Sequence, residues 1–107
     1  MSEEIKNIIL EIISKINKTD IADKIILFGS YANGTEGIDS DIDLLVLSDS
    51  DKSKKELYSE LRVSCSNINM PLDIIIHSQN EYEKYSNQKN HFLNEIKNNG
   101  IVIYERK

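Results

Sequence analysis

Isoleucine recurs through the first part of the chain with the spacing of an amphipathic helix. Six isoleucines follow one another closely enough to form one apolar stripe at 3.6 residues per turn. They are Ile5, Ile8, Ile9, Ile12, Ile13 and Ile16. Ser2 precedes the stripe and suits an N-cap, because a serine hydroxyl accepts a hydrogen bond from a free backbone N–H. The pattern predicts a helix over residues 3–17.

Later segments are short and apolar, as is typical of strands. The first is continuously apolar, which indicates a strand that is covered on both faces. In the second, alternate residues share a face, so Asp41 and Asp43 point to the same side. We predict strands over residues 24–28, 41–47, 72–77 and 101–104.

Helical patterns separate the predicted strands. In the last of them we expect Phe92, Leu93 and Ile96 to point inward, and Gly100 suits the C′ position past the helix end. The order α-β-turn-β-α-β-α-α-β predicts a small α/β or α+β fold with helices flanking a mixed β-sheet. The predicted turn and helices cover residues 30–34, 52–67, 79–85 and 89–99.

Length and composition limit the class of protein. The chain has 107 residues and neither repeats nor linker-like stretches, so we expect residues 1–107 to form a single domain. Its one cysteine, Cys65, excludes an internal disulfide framework and a cysteine-based zinc site. The acidic N-terminus is unlike a signal peptide, and no apolar run approaches the roughly 18 residues of a membrane span. We therefore expect a cytoplasmic protein with no membrane association.

The charge balance changes the expected ligands. The formal net charge is −5, with 18 acidic and 13 basic residues. This argues against direct binding to nucleic acid over a broad surface. It does not argue against a small anionic ligand, because bound metal ions can invert the local charge.

The candidate chemistry begins with an Asp-x-Asp pair. Asp41 and Asp43 share one face of a predicted strand, with α-carbons about 6.5–7 Å apart. Two carboxylates that point together from a core-forming strand are costly unless they are paired or bind cations. Carboxylate oxygens favour hard cations, and Mg²⁺ binds through one or two carboxylates plus substrate phosphates. The pair therefore predicts a metal site.

Asp73 is a third candidate ligand. It opens another isoleucine-rich strand, and it joins the Asp-x-Asp pair at one end of the sheet if the two strands are neighbours. Three acids can hold two metal ions about 3.5–4 Å apart, an arrangement used for in-line phosphoryl or nucleotidyl transfer.

Gly29 and Ser30 follow the first predicted strand directly. Glycine lets the backbone approach a phosphate closely or adopt a positive φ. Serine offers a hydroxyl and a backbone N–H at the start of a helical turn. The strand, the Gly-Ser turn, the short helix and the acidic strand together predict a cradle for a triphosphate.

These residues carry a resemblance to a known family. Gly29-Ser30, ten intervening residues and then Asp41-x-Asp43 match the G-S-x10-D-x-D signature of the nucleotidyltransferase superfamily that includes DNA polymerase beta. The surrounding Phe-Gly-Ser-Tyr-Ala-x-Gly and Ser-Asp-Ile-Asp-Leu-Leu-Val resemble its minimal nucleotidyltransferase (MNT) branch. The chain departs from that branch at Asn33, where family members often carry arginine.

The resemblance implies a nucleotidyltransferase fold and a role for each motif residue. Gly29 and Ser30 would hold the triphosphate of ATP. Asp41 and Asp43 would bind both of two Mg²⁺ ions. Asp73 would be the third carboxylate, either as a metal ligand only or also as the base that accepts the proton of the acceptor hydroxyl.

The resemblance also implies a partner. Many MNT proteins pair with a HEPN-domain ribonuclease toxin, and studied examples act as antitoxins by adenylylating a tyrosine of that toxin. The sequence leaves open a binding module that neutralises its partner by contact, and a nucleotidyltransferase that acts on a small molecule. It also leaves open whether the chain forms a homo-oligomer or a hetero-oligomer.

Overall fold

The computed structural model describes all residues from Met1 to Lys107, arranged as five helices around four strands. The strands are β1 (Lys24–Phe28), β2 (Ile42–Leu47), β3 (Leu72–His77) and β4 (Ile101–Glu105). The helices are α1 (Glu3–Asn17), α2 (Ser30–Asn33), α3 (Lys54–Ser64), α4 (Gln79–Tyr85) and α5 (Phe92–Asn99). None of these helices combines the length and apolar character that crossing a membrane requires.

The strands form one mixed sheet in the order β3-β2-β1-β4. β1 is antiparallel to both of its neighbours, whereas β2 and β3 are parallel. Parallel neighbours need a crossover connection, and α3 supplies it. The predicted small mixed sheet with flanking helices is confirmed.

Each face of the sheet packs against different helices. The larger buried cluster joins alternate residues of β1, β2 and β3 to α1 and α3. The smaller cluster lies on the opposite face, where α5 packs with Leu93 and Ile96 against the sheet. Both faces of β1 are therefore covered near its centre, which explains its continuous apolar sequence.

The largest differences between predicted and observed bounds lie at the ends of helices, because capping residues set where a helix begins. α1 has its predicted bounds, and Ser2 accepts the N-cap hydrogen bond from the Ile5 N–H. α3 begins only at Lys54 because Ser53 caps it, and it ends at Ser64 rather than at residue 67. α5 begins at Phe92 instead of residue 89, because the His91 ring accepts a hydrogen bond from the Leu93 N–H.

Gly100 ends α5, but for a different reason from the predicted one. Its φ of −77° and ψ of 164° are extended, so the left-handed conformation of a C′ glycine is absent and that prediction is wrong. A β-carbon there would lie 2.5 Å from the Ile96 carbonyl oxygen and 2.7 Å from Cγ2 of Ile26. Close packing between α5 and β1 excludes a larger residue.

We expect Gly100→Ala to lower the free energy of unfolding by about 2 kcal/mol, because the added methyl group overpacks a backbone contact. Gly37→Ala is the matched control, since a β-carbon at Gly37 meets nothing within 4 Å, and it should change stability by less than about 0.5 kcal/mol. Urea unfolding of both variants measures the difference. Equal stabilities would contradict the packing explanation.

Candidate functional site

The turn between β1 and α2 is built on Gly29. Its φ of 77° and ψ of −154° belong to a backbone region that is essentially restricted to glycine. The Gly29 carbonyl oxygen accepts hydrogen bonds from the N–H groups of Ala32 and Asn33, each at 3.1 Å. The backbone therefore passes from strand to helix within one residue, and the next residue, Ser30, begins α2.

Asp43 imposes a second constraint on Gly29. Oδ2 of Asp43 occupies the space that a β-carbon at residue 29 would take. The carboxylate of β2 thus lies directly against the backbone of the Gly-Ser turn. Two residues that are far apart in sequence meet because β1 and β2 are antiparallel neighbours.

The register of the sheet brings the acids of β2 and β3 together. Asp43 is opposite Asp73 in the parallel pair, and Phe28 is opposite Asp43 in the antiparallel pair. Partners on adjacent strands point to the same face, so these three side chains form a row across the sheet. Asp43 is half-buried in this row, whereas Asp73 is exposed.

The Asp43 carboxyl lies in an environment that disfavours its charge. Burial is the largest cause that raises the pKa of Asp43, and the negative charges of Asp73 and Asp41 raise it further. A side-chain hydrogen bond with Asp73 also raises this pKa. Such repulsion between carboxylates is what a bound cation would relieve.

No basic side chain neutralises these acids. None of the ion pairs of the protein includes Asp41, Asp43 or Asp73. Arg62 lies beside β3, but it donates a hydrogen bond to the Leu72 carbonyl oxygen at 2.5 Å. Lys54 forms an ion pair with Glu81, with Nζ 2.8 Å from Oε2. Glu81 lies in α4, which follows the end of β3 opposite to Asp73. The negative charge at the start of β2 and β3 is therefore uncompensated.

The carboxylate oxygens of these acids suit Mg²⁺, although by themselves they do not form a complete ligand set. Asp41 precedes β2 and is partly exposed, while Asp43 and Asp73 are paired within the sheet. No three His, Cys, Asp or Glu side chains lie close enough together to hold one ion. Mg²⁺ is bound by one or two carboxylates together with substrate phosphates, so these residues fit ions that arrive with a nucleotide. The assignment of the three acids as metal ligands stays a prediction.

Ser30 is placed where its hydroxyl is available. It is the first residue of α2 and is partly buried, and its side chain makes no hydrogen bond within the chain. Its carbonyl oxygen accepts hydrogen bonds from the backbone N–H groups of Gly34 and Thr35. The backbone of the turn is thus fixed, while the hydroxyl is left for a ligand.

Sequence reasoning missed a cleft of about 130 Å³ beside Gly29, between the end of β1 and α5. Its walls include Phe92, which was predicted to point inward; that prediction is wrong, because the side chain is 46% exposed. Leu93 and Ile96 face the sheet. Consecutive residues of a helix are rotated by about 100° relative to each other, so Phe92, the neighbour of Leu93, points away from the sheet. The spacing of Phe92, Glu95 and Asn99, three and four positions apart, is the signal that could have indicated this second face.

A mixed sheet with a Gly-Ser turn beside paired acidic strands defines the class as a nucleotidyltransferase fold. The chain belongs to the family described as Polymerase beta, Nucleotidyltransferase, which matches residues 10–107. A Methanocaldococcus jannaschii protein named as a protein adenylyltransferase is 34% identical over 101 residues, which cover 89% of this chain and 98% of that protein. The chain is therefore a nucleotidyltransferase, as the sequence motif predicted.

Solved structures share the fold. A crystal structure named as a nucleotidyltransferase from Sulfolobus solfataricus has a TM-score of 0.66 at 16% identity, covering 94% of this chain and 79% of that chain. A crystal structure of a toxin–antitoxin with AMP-PNP has a TM-score of 0.50 at 22% identity, covering 90% and 73% respectively. At such identities the likeness shows a common fold.

Proposed function

We propose that the protein transfers AMP from ATP to a tyrosine hydroxyl of a HEPN-domain toxin and thereby acts as its antitoxin in a Mg²⁺-dependent reaction. Residues 1–107 would work as one minimal nucleotidyltransferase domain in the cytoplasm. The observation that carries the proposal is the uncompensated pair of Asp43 and Asp73 beside the Gly29 turn. This arrangement supports the proposal because a glycine turn, which can approach a phosphate, and carboxylate oxygens, which suit Mg²⁺, lie side by side.

Each residue of the site has a separate role in this proposal. Gly29 brings the backbone of the turn close to the triphosphate, and the free Ser30 hydroxyl donates a hydrogen bond to a phosphate oxygen. Asp41, Asp43 and Asp73 would hold two Mg²⁺ ions together with the phosphates of the nucleotide. When bound, these ions supply charge neutralisation at the phosphates and polarise the α-phosphate toward attack.

The transfer is an in-line displacement at the α-phosphorus. The oxygen of the acceptor hydroxyl forms a bond to this phosphorus, and the bond to the bridging oxygen of pyrophosphate breaks. Asp73 accepts the hydroxyl proton, since it is the exposed member of the carboxyl pair and so can be reached by a protein side chain. The half-buried Asp43, which lies against Gly29, fixes the position of the reacting phosphate relative to the turn.

Two comparisons support a protein acceptor. The Methanocaldococcus jannaschii relative is named for adenylyl transfer to protein, and it matches this chain over nearly its whole length. The toxin–antitoxin structure combines a related fold with a nucleotide analogue. The HEPN partner and its tyrosine come from the resemblance of the sequence to the MNT branch.

Mass spectrometry tests this function directly. A purified HEPN-domain toxin is incubated with this chain and Mg²⁺-ATP, and we expect one AMP moiety on a tyrosine and loss of ribonuclease activity. Chelation of Mg²⁺ should prevent both changes. Inhibition of the toxin without added mass would instead show neutralisation by contact and overturn the proposed reaction.

A further inference from the structure

We propose that the cleft between Phe92 and the end of β1 binds the nucleobase of the nucleoside triphosphate. This inference rests on the proposed function, because it assumes that the phosphates lie at Gly29 and Ser30. Gly29 lines the cleft and also touches the Asp43 carboxylate, so both places share one residue. A ligand whose phosphates meet the Gly-Ser turn can therefore extend directly into the cleft.

The first argument is the aromatic surface that Phe92 contributes to the cleft. The Phe92 ring stacks on His91 with ring centres 5.0 Å apart, and His91 stacks on Tyr85 at 4.8 Å. The ring is 46% exposed, although the helix it begins buries Leu93 and Ile96. Phe28 also lines the cleft. Flat and partly exposed rings suit stacking of a nucleobase.

The second argument is a set of polar side chains without partners. Asn33, Glu95 and Asn99 line the cleft, and none of their side chains makes a hydrogen bond or ion pair within the chain. An amide offers both donors and acceptors, and a carboxylate accepts from an N–H group. A nucleobase presents several donors and acceptors along its edge, so it can form hydrogen bonds with side chains of this kind.

Other parts of the substrates fit the cleft less well. No lysine or arginine lines it, and the Glu95 carboxylate would repel a phosphate. The tyrosine of a protein acceptor has only its hydroxyl, which must face the α-phosphorus. A phenol in the cleft would therefore leave the polar side chains unused. The chemistry of the walls favours the base.

The test separates base binding from phosphate binding. Calorimetry measures the Mg²⁺-dependent affinity of each variant for a non-hydrolysable ATP analogue and for inorganic tripolyphosphate. We expect Phe92→Ala to weaken binding of the analogue about ten-fold, equivalent to about 1.4 kcal/mol. The affinity for tripolyphosphate should stay within about two-fold of the wild-type value. Tyr58→Ala is the matched control, since Tyr58 is 45% exposed on α3 and does not line the cleft, and it should change neither affinity.

A second variant, Phe92→Leu, keeps the test decisive if Phe92→Ala does not fold. Phe92→Leu keeps an apolar side chain at the start of α5 but has no ring to stack, and we expect it to weaken the analogue selectively as well. If a folded Phe92 variant binds the analogue as tightly as the wild type, or loses both ligands equally, the base site is wrong. If the wild type binds neither ligand, the proposed function itself fails.

Discussion

Replacing Asp43 by asparagine is expected to lower AMP transfer at least about 1000-fold, which corresponds to roughly 4 kcal/mol of transition-state stabilisation. Asparagine has nearly the same size, so the contact with the Gly29 backbone is retained. The variant loses the negative charge with which Asp43 would hold Mg²⁺. Transfer of radioactive AMP to the partner, measured at saturating ATP and Mg²⁺, gives the result.

The same variant is expected to be more stable than the wild type at neutral pH without divalent cations. The raised pKa of Asp43 means that the folded chain disfavours its ionised form, because burial and Asp73 oppose the charge. The wild type therefore loses stability as the pH rises above about 3.9, the ordinary pKa of an aspartate, and Asp43→Asn avoids this loss. Thermal unfolding at several pH values in chelator should show the gain at pH 7 and its disappearance at low pH.

Asp51→Asn is the matched control for both measurements. Asp51 is exposed in the segment after β2 and its side chain makes no hydrogen bond or ion pair. We expect its transfer activity to stay within about two-fold of the wild type and its stability within about 0.5 kcal/mol. An Asp43→Asn variant that keeps its activity would remove this acid from the mechanism. An Asp43→Asn variant that unfolds more easily at pH 7 would contradict the electrostatic explanation.

Gly29→Ala is expected to abolish transfer and to lower the free energy of unfolding by about 3 kcal/mol. An alanine would have to adopt φ 77° and ψ −154°, and its methyl group would overlap with the Asp43 carboxylate. The collision would move the acid away from the turn, so activity should be lost even where the variant is folded. Urea unfolding and the transfer assay measure the two effects separately.

Gly34 is a control that distinguishes the cost of backbone strain from the cost of the steric clash between residue 29 and Asp43. Gly34 has φ 74° and ψ 19°, and a β-carbon there meets nothing within 4 Å. Gly34→Ala should therefore lower stability by only about 1 kcal/mol. In an Asp43→Ala background the collision at residue 29 is removed, and Gly29→Ala should then be about 1 kcal/mol less destabilising. An unchanged effect in that background would show that Asp43 does not constrain the glycine.

Local sequence predicted the elements well where one signal dominated. The isoleucine stripe and the Ser2 cap specify α1 without help from the rest of the chain. The starts of α3 and α5 were less predictable, because each is set by one capping side chain, Ser53 or His91, and not by the pattern of apolar positions. Gly100 was expected to supply a left-handed backbone, yet what it supplies is space between α5 and β1.

The sequence by itself determined the class of fold and the candidate chemistry. The Gly-Ser turn and the Asp-x-Asp pair are local motifs, since the chemistry of phosphate and metal binding needs those residue types at a short spacing. Only the tertiary structure decided that Asp73 faces Asp43, that Asp43 fills the space above Gly29, and that Phe92 borders a cleft. Strand order, register and the rotation of α5 set these contacts. They depend on how distant segments pack together, which no local spacing of residues encodes.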